Sequence, residues 1–167
     1  MSFYRPLLGL LSLFTALNVS YADPTPPPPT VAVWQAQSTA YEYSPQYGQP
    51  WVGCWELQNR AAELLDTFGA KEVGFRCDRI GVAGSLRLSM NFSSVVAVPQ
   101  GTINSEPADW EAVQLFYQGE CQLISDLIDS LIPYFQMQGV AASAFCDNSG
   151  GTVSFQAQVL KVATPAD

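Results

Sequence analysis

The chain has 167 residues, with fifteen acidic side chains against seven basic ones, a formal net charge of −8 and no histidine. That balance argues against nucleic acid or anionic lipid as partners, because both need a positive surface to release counterions. The missing histidine removes the commonest general base and the usual serine or cysteine triads.

Residues 1–22 carry one positive side chain, Arg5, then an apolar run from Pro6 to Val19 and Ser20-Tyr21-Ala22. Small residues at the third and first positions before Asp23 predict a cleaved secretory signal. The run is shorter than the ~20 residues of a spanning helix, and no later segment is apolar enough to cross a membrane. Residues 23–30 (DPTPPPPT) predict an extended, polyproline-like leader with almost nothing to bury. A single α+β domain is expected over 31–162, with residues 163–167 as a fraying tail.

Within the domain, residues 31–43 are β-prone, and 44–53, with two prolines and two glycines, form a loop. Residues 54–68 predict the first helix, because Leu57, Ala61, Leu64, Leu65 and Phe68 fall on one stripe. Glu56 suits its first turn, and Gly69 its stop. Residues 71–77 read as a return strand. Residues 85–92 alternate strictly, Leu86, Leu88, Met90 and Phe92 against polar neighbours, as in an antiparallel sheet covered on one side. Residues 99–108 are a polar connector, and 109–117 return to β composition. The second helix is expected over 121–135, with Pro133 in its last turn. Strands at 140–146 and 152–161 close the domain.

The order suggests a unit used twice, over 31–98 and 109–162. Both halves place Cys-Asp-X-X-Gly after the return strand, at Cys77 and Cys146, followed by Ser85 and Ser154 eight residues past the cysteine. Trp34-Gln35-Ala36 also resembles Trp110-Glu111-Ala112. The expected fold is therefore a duplicated β-α-β-β unit: about six antiparallel strands, two helices on one face, a ferredoxin-like or related plait.

Four cysteines allow three pairings. A 15-residue helix rises roughly 22 Å, and a six- or seven-residue strand covers about the same distance back. This brings Cys54 to Cys77 and Cys121 to Cys146, as structural staples suited to an oxidising compartment. No Cys-X-X-Cys redox motif and no zinc ligand set is present, and no cofactor is expected.

Carboxylate chemistry is the catalytic option left by composition. Asp126 and Asp129 sit one turn apart on the second helix, and Asp78 and Asp147 occupy what read as equivalent turns; a solvated helix face and self-bonded turn aspartates are the plainer readings. The candidate binding site is aromatic: Tyr41, Tyr43, Tyr47, Trp51 and Trp55 crowd the Pro/Gly-rich loop that the second half lacks. Packing onto the core is the plainer reading for any one of them. The sequence thus points to an exported, periplasmic or secreted, non-enzymatic binding or interaction domain whose partner is a protein or a glycan. The alternatives are a small envelope hydrolase using carboxylates and a carrier of a small apolar ligand.

Overall fold

The computed structural model describes residues 30–45, 52–81, 84–147 and 150–163. The expected signal segment, the prolines of the leader, Tyr47, Trp51 and the last four residues lie outside them. The described elements are β1 (Thr30–Tyr43), α1 (Cys54–Thr67), β2 (Lys71–Ile80), β3 (Ser85–Val98), β4 (Glu106–Gln118), α2 (Cys121–Leu131), a 3-10 turn (Ile132–Tyr134), β5 (Met137–Asp147) and β6 (Gly150–Val162). The strands form one six-stranded sheet in the order β2-β3-β1-β4-β6-β5, with antiparallel neighbours throughout.

The sheet has a narrow waist. β1 and β3 pair continuously from Val31–Val98 to Tyr43–Leu86, and β4 and β6 pair from Ala108–Val162 to Gln118–Thr152. β1 meets β4 only where Thr30, Val31 and Ala32 face Ala108, Pro107 and Glu106. What joins the two sides is the core rather than the ladder. Leu57, Ala61, Leu64 and Leu65 of α1 and Leu123, Ile124, Leu127, Ile128 and Leu131 of α2 share one cluster with Leu88, Met90 and Phe92 of β3 and Val153, Phe155 and Val159 of β6. Phe68, just past α1, lies 5.2 Å from the Phe135 ring and 5.6 Å from Phe155, while Phe92 stacks on Phe135 at 5.5 Å. Each fully buried side chain of this size contributes roughly 1.5–3 kcal/mol.

Local chemistry explains the helix ends. Gly69, at φ +80°, lets its N–H reach the Asp66 carbonyl and the Ala70 N–H reach that of Leu65, closing α1. The second helix stops earlier than expected: α2 ends at Leu131, and Ile132–Tyr134 tighten into a 3-10 turn with Pro133 near its start. Proline has no N–H to donate to the preceding turn, and Phe135 is then extended, with its ring in the core.

The cysteines pair as geometry predicts, Cys54 with Cys77 and Cys121 with Cys146, at Cα separations of 5.7 and 5.4 Å. Each bond fastens the first residue of a helix to an edge strand of the sheet.

Two expectations change. Asp78 is not in a turn: β2 continues to Ile80, and Asp78 pairs across to Arg87. Asp147 is the last residue of β5, opposite Gly150. The cysteines also sit at different heights, with Cys77 opposite Leu88 and Cys146 opposite Gly151. Ser85 and Ser154, matched by counting from the cysteines, therefore fall at different levels of their hairpins. The tryptophans match better, Trp34 lying opposite Val95 and Trp110 opposite Leu160.

Candidate functional site

The aromatic loop candidates separate. Tyr43 is 6% exposed and belongs to the core, so it is a packing residue. Tyr41 is half-buried against the same core. It lines a small cleft of about 170 Å³ with Glu42, Ser44, Gln122, Leu123 and Asp126, between the end of β1 and α2. Burial, then Asp126 and Tyr43, push its phenol well above the ordinary range, so it stays neutral. Trp55, on the first turn of α1, is 76% exposed. Tyr47 and Trp51 lie outside the described residues. Tyr41 and Tyr43, two residues apart on β1, share its core-facing side, while α1 turns Trp55 away from the core.

The aspartates do not converge either. Asp126 lines the cleft with Tyr41, whereas Asp129 borders another one with Ser125, Ala142 and Ser143. Burial and Asp129 raise the Asp126 carboxyl, partly offset by a hydrogen bond of 2.7 Å from Gln122 Nε2. Asp78 accepts from Arg76 Nε at 2.9 Å in an exposed ion pair. Among the described residues, no group of three or more potential ligands could hold a metal ion.

The carboxylates that do meet are Glu56 and Glu120, which sequence reasoning did not pair. Glu56 lies in the first turn of α1 and Glu120 immediately precedes α2. A hydrogen bond with Glu120, then partial burial and the Glu120 charge, raise the Glu56 carboxyl. Arg60 Nε donates to Glu120 Oε2 at 2.9 Å and its Nη1 lies 3.6 Å from Glu63. Beside them the buried Tyr117 hydroxyl has no partner of hydrogen-bond geometry among the described residues, and burial and Glu63 push its phenol up to about 12. Arg60 offsets part of the negative charge where the two carboxyls meet. The cluster bridges the two helix starts. The signal was present: each glutamate sits within two residues of a cysteine that opens a helix.

The most distinctive surface is the sheet face turned away from the helices. Leu115, Tyr117, Val153 and Phe155 point to the core, so the residues between them point outward. Register places them in rows. Gln118, Thr152 and Phe145 form one row across β4, β6 and β5; Phe116, Ser154 and Ser143 form the next; Gln114, Gln156 and Ala141 form the third. Phe116 is 62% exposed and Phe145 is 79% exposed. The rings stand on β4 and β5 with Ser154 and Thr152 as the floor between them. Nearer the waist this face carries an apolar patch, Ala32, Val95, Ala108 and Leu160 with Trp34 and Trp110 packed on it. Phe116 was legible as the outward partner of Leu115 in an alternating strand, but the burial of its neighbours had to be known first.

No protein-family model, curated protein or solved structure matches the chain.

Proposed function

We propose that this protein is a non-enzymatic binding or interaction domain of an oxidising, extracytoplasmic compartment, either periplasmic or secreted. Residues 1–22 would be its signal, 23–30 its leader, 31–162 its single domain and 163–167 its tail. The domain would be a duplicated β-α-β-β unit, 31–98 and 109–162. In favour are the element order, which runs β-α-β-β twice, and the tryptophans beside Val95 and Leu160 at matching heights. Six strands in the order β2-β3-β1-β4-β6-β5 with two helices would make it an enlarged variant of the ferredoxin-like plait, which has four strands and two helices. The two disulfides are consistent with that compartment, and no described helix is long and apolar enough to cross a membrane.

The observation that carries the binding reading is the exposure of Phe116 and Phe145 on one face of the sheet. Two large rings grouped on one exposed face form an apolar patch of the kind that marks an interaction surface. Trp55 offers a second contact, on the helix side. The partner is a protein or a glycan. Crosslinking in the native envelope or secreted fraction tests this reading. The double variant Phe116→Ala/Phe145→Ala should lose the captured component at an unchanged melting temperature. Equal capture by the variant would remove this face from the reading.

A further inference from the structure

We propose that the trough between Phe116 and Phe145 binds a neutral polysaccharide chain lying along β6. This rests on the binding reading above and narrows it to one ligand chemistry.

The trough is built by register. Its two rings rise from β4 and β5, on either side of β6 and one row apart, Phe116 level with Ser154 and Phe145 level with Thr152. Its walls are therefore two strand spacings apart across the sheet and about 12 Å apart on the diagonal. Its floor is Ser154 and Thr152, and Gln118 and Gln156 lie at its ends. Thus apolar plates flank a floor of hydroxyls, with amides that both donate and accept. A sugar ring needs that combination: its C–H faces lie on aromatic rings, and its hydroxyls exchange hydrogen bonds with amides and hydroxyls. A protein interface would ask for one continuous dry centre; here hydroxyls divide the two rings.

Charge sharpens the choice. In a protein of net charge −8, none of the nine residues in the three rows is charged. Counted from the tryptophan rows, the corresponding levels of the other half read Glu42, Arg87, Asp78 and then Ala40, Ser89, Arg76. There Arg87 Nε donates to Glu42 at 2.9 Å and Arg76 to Asp78 at 2.9 Å. One side of the sheet therefore carries an ion-pair lattice, and the other, at the same levels, two rings and an uncharged floor. A face without charge suits a ligand without charge, because a charged ligand would lose its hydration there and find no counter-charge.

The test is native affinity electrophoresis of the intact oxidised protein through gels containing hydroxyethyl cellulose, dextran or soluble starch, with polygalacturonate as the anionic comparator. The expected result is retardation by at least one neutral polymer, none by polygalacturonate, and little change with added salt. Phe116→Ala and Phe145→Ala should each weaken retardation about tenfold without altering the melting curve. Ser154→Tyr, which fills the floor and leaves both rings in place, should abolish it. No retardation by any of the three neutral polymers overturns the proposal. So does retardation that survives the ring variants. If instead the wild type elutes as a dimer and Phe145→Ala as a monomer, the face binds a second copy; the glycan assignment then fails while the binding reading stands.

Discussion

Individual side chains divide sharply by what surrounds them, and two phenylalanines one position apart in neighbouring strands show it. Phe155 is fully buried, beside Phe68; Phe116, on the adjacent strand, faces water. Phe155→Ala should cost about 3–5 kcal/mol in urea unfolding, through lost transfer energy and the cavity left behind. Phe116→Ala should change stability by no more than about 0.5 kcal/mol. A large loss at Phe116 would mean that the ring is structural. Glu56 gives a pH prediction. Its carboxyl is raised in the folded protein by Glu120, so the folded state holds the proton more tightly than the unfolded chain. That contribution is fully present below the unfolded value near 4.3 and is lost as pH rises through the folded value. Burial raises Asp126 in the same direction. Glu56→Gln, an amide that can still donate to Glu120, should therefore raise the melting temperature at neutral pH and make little difference in acid. Because Glu56 is partly exposed, the gain should stay below about 1 kcal/mol.

At the scale of elements, what the sequence disclosed follows from which forces are local. Helix stripes, the Gly69 stop and the strict alternation of Leu86 to Phe92 are set by neighbours in the chain, and all were legible. The cysteine pairing was too, because helix rise and strand rise are fixed lengths. Strand ends were not: β3 runs on to Val98 because Val31–Trp34 of β1 supply partners for Val95–Val98, a non-local fact. β2 likewise passes Asp78 because β3 pairs with it as far as Ile80. The exposed face was hidden for the same reason, since only cross-strand register puts Phe116 beside Ser154 on one flank of β6 and Phe145 beside Thr152 on the other. Gly151 shows an element-scale constraint with a test. It sits at φ +128°, and a Cβ there would overlap the backbone carbonyl of Phe145. Gly151→Ala should therefore destabilise the β5–β6 hairpin by more than about 1 kcal/mol. Gly74→Ala, with open space around its position, should not. Thermal melts of the two variants side by side check this. Separately, reducing either disulfide should cost roughly 3 kcal/mol.

For the molecule as a whole, the question is whether its two sides are one cooperative unit. The ladder between them is short, three residue pairs of β1 and β4, and neither disulfide crosses from residues 30–98 to residues 106–163. The ring contacts do cross: Phe68 and Phe92 from the first part close on Phe135 from the second. Arg60 of α1 also reaches Glu120. A shared core of this kind removes more apolar surface than either side could bury alone, so separate folding is not expected. The connector Pro99–Ser105 offers the test. It is an exposed turn region held by side-chain bonds within itself, Thr102 Oγ1 to the Pro99 carbonyl at 2.7 Å and Ser105 Oγ to the Thr102 carbonyl at 2.8 Å, with Ile103 84% exposed. Limited proteolysis there should leave one particle that elutes as the intact protein does in native buffer. On a denaturing, non-reducing gel the same sample should run as two fragments. Its melting temperature should now rise with protein concentration, because folding has become association. The intact chain should unfold in one transition seen alike by far- and near-ultraviolet circular dichroism. Two separated transitions would show that each side folds on its own, and fragments still linked under denaturing conditions would contradict the disulfide pairing itself.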